Sequence, residues 1–264
     1  MNSEVRPTDN TSERSRSASR WLWFYQLASP PHAYRLLGLW RPWLLWPALI
    51  LIAVGLYGGL VIAPPDYQQK DAFRIMYVHV PSASLSLTIY VMMAVAAAIG
   101  VIWRMKLAHA VAASCAPVGA VFTSLTLITG SIWGKPMWGT WWEWDPRLTS
   151  ELIQLFLYFG YMALRASFDD VQRADRASAI LAIVGVVNVP IVKYSVVWWN
   201  SLHQGPSLSL TNKSAIDGSM IWPLLLLLLG FLLYFGAVLC TRVRSEILER
   251  ERNPSWLTET HLRS

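Results

Sequence analysis

Five of the fifteen tryptophans in this 264-residue chain fall between positions 133 and 144, within a stretch from Trp133 to Thr149 that reads WGKPMWGTWWEWDPRLT. Asp145 and Arg147 close the run with opposite charges. Flat aromatic rings at this density offer a face for a flat apolar ligand. A guanidinium nearby suits a carboxylate on such a ligand. The chain also has five histidines, His32, His79, His109, His203 and His261, each able to bind a metal through a neutral imidazole nitrogen. Other chemistries are missing. There is no Cys-x-x-Cys-His for covalent haem attachment and no phosphate-binding G-x-x-x-x-G-K-[ST] loop. Two cysteines, Cys115 and Cys240, are too few for a cysteine-ligated cluster and read as buried thiols.

Which of these residues can meet depends on the elements that carry them. Hydrophobic residues make up 54% of the chain and charged residues 14%. The apolar residues come in charge-free windows at 43–62, 80–103, 110–134, 152–164, 177–192 and 218–241. A bilayer-spanning helix needs roughly 20 mainly apolar residues. Four windows reach that alone, and the fourth and fifth reach it with flanking residues such as Glu151, Lys193 and the Trp198-Trp199 pair. The expected fold is an all-α integral membrane protein of six transmembrane helices, the fourth being the weakest. No apolar core follows a short basic head, so the first span is expected to be a retained anchor.

Charge sets the expected orientation. With the N-terminus inside, sixteen of the 22 Lys and Arg residues fall on inner segments and six on outer ones. Both termini are then cytoplasmic, and the net charge of +6 reflects topology and anionic lipid rather than nucleic acid. Residues 1–20 read as a disordered extension, and 21–41 as an interfacial segment broken at Pro30-Pro31. Residues 21–241 form the membrane domain, and 242–264 a charged inner tail. The second span is expected to open at Pro81, with His79 just ahead of it. The tryptophan-rich loop, set at 131–149, joins the third and fourth spans on the outer side.

In this topology only His79 and His203 share the outer side with that loop. A histidine pair, an aromatic platform and nearby cations match haem, a flat apolar ring with two carboxylates and two axial iron positions. Arg74, Lys135 and Arg147 are the candidate propionate partners. Plainer readings stand beside this one. Interfacial aromatic belts account for Trp198 and Trp199. Asp145-Pro146 is also a helix start, with Asp capping and Pro in the first turn. Glu151 suits the N-terminal part of the fourth helix. A b-type electron carrier and, less favoured, a solute transporter are the alternative functions; few intramembrane charges support the latter.

The segment WGTWWEWDPRLTSE resembles the tryptophan-rich WWD signature of membrane haem-handling proteins. With MYVHVPSA around His79 and WWNSLHQGPS around His203, the chain resembles the CcmC family of bacterial cytochrome c maturation, over roughly residues 25–242. That resemblance implies haem b, held non-covalently at the periplasmic face of the inner membrane. His79 and His203 would be its axial ligands. Trp138, Gly139, Trp141, Trp142, Trp144, Asp145 and Arg147 would form a platform shared with a periplasmic haem chaperone, CcmE. It further implies release of the loaded chaperone by the CcmA/CcmB ATP-binding-cassette complex with CcmD. The expected role is haem delivery rather than enzymatic turnover.

Overall fold

The computed structural model describes residues 29–199, 201, 203 and 217–251. Among them the regular structure is helical, with one isolated bridge between Asp66 and Lys70 and no strand. The expected disorder of residues 1–20, the first part of the interfacial segment (21–28) and the end of the tail (252–264) lie outside the described residues.

Helix α1 (Pro30–Tyr57) opens on the proline pair expected to break the interfacial segment. A first-turn proline forfeits no helical hydrogen bond, so the pair starts a helix instead. Residues 30–41 are therefore continuous with the first apolar run, which a π turn (Gly58–Ile62) closes. A 3-10 turn (Asp71–Ile75) leads into α2 (Met76–Trp103). The second helix thus starts before Pro81, and His79 lies inside its first turn. Tyr77 explains the early start. Its ring is fully buried, edge-on to Phe73, and its hydroxyl donates to the Met220 carbonyl at 3.1 Å.

Helix α3 (Lys106–Trp138) runs through Trp133 and ends at Gly139, whose φ of +79° is a left-handed cap. The loop expected at 131–149 shrinks to residues 139–145. Asp145 then caps α4 (Pro146–Ala166), accepting from the Leu148 amide at 2.7 Å with Pro146 in the first turn. Helices α5 (Val171–Gly185) and α6 (Asn188–Trp198) are two parts of one apolar run. Pro190 has no N–H for the Val186 carbonyl, so the ladder breaks there. Asn188 fastens the break to α4, donating to the Ser150 carbonyl and to Gln154 Oε1, both at 2.9 Å. Helix α7 (Gly218–Arg250) continues unbroken from the last apolar window into the charged tail. Arg250 makes that extension adhere, forking onto both Asp175 oxygens at 2.7 and 2.8 Å.

Helices α1 and α7 pack antiparallel. At their crossing a Cβ on Gly230 would lie 2.9 Å from Ile52 Cγ1, so only glycine allows this approach. The main core joins Ile89, Tyr90 and Met93 of α2 to Cys115 of α3, Tyr158 and Tyr161 of α4 and Phe235 of α7. Cys115 and Cys240 are both buried and free.

The two ends of the bundle differ chemically. One gathers Arg165, Asp175, Glu246 and Arg250 into an ion-pair cluster. The other gathers His79, Trp133, Trp138, Asp145 and His203. Five helical stretches among the described residues are long and apolar enough to cross a membrane: 30–62, 71–103, 106–138, 171–198 and 218–250. Helix α4 falls outside that set because one face is polar, burying Ser150, Glu151 and Gln154. Its 21 residues nonetheless run from the histidine end, at Asp145, to the ion-pair end, at Arg165.

Candidate functional site

His79 is fixed by α3. Its Nδ1 lies 3.0 Å from Thr129 Oγ1, and its ring meets Trp133 edge-on with centroids 5.6 Å apart. The Thr129 hydroxyl spends its one proton on the Leu125 carbonyl, at 2.6 Å. Toward His79 it can therefore only accept, so Nδ1 carries the imidazole proton and Nε2 keeps its lone pair. Gly130 makes the approach possible: a Cβ there would sit 3.1 Å from His79 Cε1.

His203 reaches the same state by another route. Its Nδ1 is 3.1 Å from Asp145 Oδ2, and its backbone N–H donates to Ser201 Oγ at 3.1 Å. Ser201 in turn donates to Asp145 Oδ2. Burial works against the Asp145 charge, but the His203, Ser201 and Leu148 donors outweigh it and hold the carboxyl down at about 2. An ionised carboxylate accepts and cannot donate, so Nδ1 of His203 is protonated, and in the neutral ring Nε2 is the lone-pair nitrogen. A histidine whose other nitrogen donates to a fixed oxygen is the usual build of a metal ligand. Both histidines line one cavity of about 20 Å³, together with Arg147, Leu148 and Glu151. That volume holds about one water, so a large ligand would sit at its mouth.

The aromatic residues divide by exposure. Trp138, at the end of α3, is half-buried and packs on the His203 ring with centroids 4.8 Å apart. Trp141 and Trp144 are 58% and 74% exposed. Trp142 stands between, edge-on to Trp144 at 5.4 Å, and its buried indole N–H has no acceptor among the described residues. Thr140 shapes this turn by donating to the Trp142 carbonyl at 2.9 Å. The three candidate cations are not equivalent. Arg74 is engaged by Asp71 at 3.0 Å and by the Gly59 carbonyl at 2.8 Å. Lys135 donates to the Gly139 carbonyl at 2.9 Å, 6.0 Å above the Trp141 ring. The Arg147 guanidinium has no ion pair or hydrogen bond among the described residues, and Arg147 lines the histidine cavity.

A family model described as heme exporter protein C matches residues 23–258. The chain belongs to that family. It is 49% identical over 243 residues to heme exporter protein C of Escherichia coli K12, covering 92% of this chain and 98% of that protein. Against heme exporter protein C of Haemophilus influenzae it is 46% identical over 237 residues, 90% of this chain and 96% of the other. For that of Bradyrhizobium diazoefficiens the figures are 46% over 224 residues, 85% of each chain. With five apolar helices of spanning length, this member of the heme exporter protein C family is a multi-pass membrane protein.

Sequence reasoning overlooked the partners of the two histidines. Thr129 is an ordinary polar residue in its run and lies fifty positions from His79, so spacing does not reveal it. Ser201 lies two positions before His203, where a hydroxyl oxygen accepting from the N–H two residues on is a common local motif. Gln69 was also missed; it accepts from the Trp133 indole at 3.0 Å and ties the loop before α2 to α3.

Proposed function

We propose that this chain holds haem at the outer face of the bacterial inner membrane and delivers it to a periplasmic haem chaperone for c-type cytochrome maturation. The observation that carries the reading is the matched pair of histidines. Each has Nδ1–H engaged by a fixed oxygen, which leaves Nε2 as the binding nitrogen of the neutral ring, and both line one cavity. Two neutral imidazoles are what the axial positions of haem b accept. The haem is cargo, held without a covalent bond. Arg147, the candidate cation without another partner, is the first choice for a propionate; Arg74 and Lys135 would have to leave existing contacts. Trp141 and Trp144 present the exposed part of a platform that a chaperone can share with the ring edge.

The chaperone is CcmE, with CcmA/CcmB and CcmD acting after loading; the family resemblance supports these partners. The protein presents its cargo and does not turn it over. Six passes are proposed rather than five, because α4 runs from the histidine end to the ion-pair end and its length, at 1.5 Å per residue, is about 30 Å. The positive-inside distribution then puts both termini in the cytoplasm and the histidines outside.

The test is the absorption spectrum of purified wild type, His79→Ala and His203→Ala. Wild type is expected to show a bis-imidazole haem spectrum, and each variant to lose it. If both variants keep the wild-type spectrum, the ligand assignment fails.

A further inference from the structure

Glu151 lies in the wall of the cavity shared by His79, His203 and Arg147, and it is buried. Its Oε1 accepts from Ser86 Oγ at 2.7 Å. Ser86 is itself held in place, its carbonyl accepting from Tyr158 at 2.7 Å. Among the described residues the Glu151 carboxylate has no ion-pair partner, although Arg147 lies one turn earlier on α4. The other buried carboxylates do have one: Asp145 faces His203, and Asp175 faces Arg165 and Arg250. A buried acid with no cation in contact is costly to keep charged, and inside a membrane bundle such a residue points to function.

The charge that could arrive is the iron's. Ferric iron in a porphyrin dianion between two neutral imidazoles leaves one net positive charge at the metal; ferrous iron leaves none. We propose that Glu151 is the countercharge for ferric haem and so sets the oxidation state in which the cargo is held. The proposal rests on the reading that His79 and His203 bind the iron. Glu151 acts through space and is not a ligand. Arg147 carries the opposite sign in the same wall, and pairing with a propionate would use that charge away from the iron. The couple involved is one electron: Fe(III) gains it to become Fe(II), with no bond made or broken and the electron supplied by the titrant.

The experiment is a redox titration of the haem-loaded full chain in detergent, using dithionite and mediators, followed by absorption. Wild type, Glu151→Gln and Glu151→Asp are compared. Glu151→Gln is expected to shift the ferric/ferrous ratio at least about tenfold toward ferrous, which is a midpoint raised by about 59 mV. Glu151→Asp is expected to stay near wild type, and all three to keep a bis-imidazole spectrum. A shift under about twofold in Glu151→Gln overturns the proposal. Thermal unfolding of the haem-free proteins separates a structural role. Neutralising an unpaired buried charge is expected to leave the unfolding temperature equal or higher. A clear fall for Glu151→Gln, or failure of both variants to fold, overturns the proposal as well. The His79→Ala and His203→Ala spectra distinguish the two failures: if they match wild type, the ligand reading falls, and if they do not, only the role of Glu151 is at stake.

Discussion

Asp145 does two jobs with two oxygens. Oδ1 caps α4 through the Leu148 amide, and Oδ2 takes both Ser201 and the His203 ring. Asp145→Asn keeps an oxygen for the cap but loses the charge that fixes His203. Haem retention is expected to fall by roughly 10–100-fold, read as haem per protein after purification. The stability effect has a defined pH window. The folded carboxyl titrates at about 2, below its ordinary 3.8, so its contribution is complete above about pH 4. It is lost as pH falls from there through about 2. The unfolding-temperature gap between wild type and Asp145→Asn is therefore expected to be flat near neutrality and to close in acid. A gap that widens in acid would contradict the assignment. Thr129→Val tests the other histidine. It removes the acceptor for Nδ1–H at nearly constant volume, and a loss of haem affinity of roughly 10–100-fold is expected in a haemin titration.

Among the elements, the link between α3 and α4 depends on one backbone conformation. Gly139 takes φ +79° with open space around its missing Cβ, so Gly139→Ala introduces backbone strain and no clash. A destabilisation of about 1 kcal/mol is expected from thermal unfolding, with altered emission from the neighbouring tryptophans. The helices themselves were largely legible, since long charge-free runs leave little other choice in a bilayer. Their ends were not. Pro81 looked like a helix start, but buried Tyr77 and its bond to Met220 pull the start of α2 upstream. Lys135, Pro136 and the tryptophans looked like loop, yet α3 carries them to Gly139. For the site, Asp145-Pro146 was readable as a cap because that signal is local. The bond from Asp145 to His203 was not, because it crosses 58 positions and no pattern in the chain encodes it.

At the scale of the molecule, the polar face of α4 decides the topology. If α4 crosses the membrane, Glu143 and Asp169 are on opposite sides; if it does not, they share one. The native cysteines are buried and should remain silent toward a membrane-impermeant maleimide. In intact spheroplasts, Glu143→Cys is expected to label and Asp169→Cys to label only after lysis. Labelling of both in intact spheroplasts would remove the sixth pass. The same geometry explains why a hydropathy reading passes over α4: its inward side chains Ser150, Glu151, Gln154 and Tyr158 serve neighbouring helices, while Ile153, Phe156 and Phe159 are exposed on its other side.

The two histidines are mounted differently. His79 belongs to a helix and is braced by a second helix through Thr129. His203 lies outside any helix and is held by a carboxylate and a tilted indole ring. We infer that the helix-borne histidine is the stiffer of the two. Under the haem-delivery reading, the bond to His203 breaks first and a transfer intermediate still hangs from His79. Added imidazole is expected to replace His203 in the haem-loaded protein at lower concentrations than it replaces His79. On that reading the chaperone's own ligand would enter through the vacated position, and the side of the iron that lets go would set the direction of its approach.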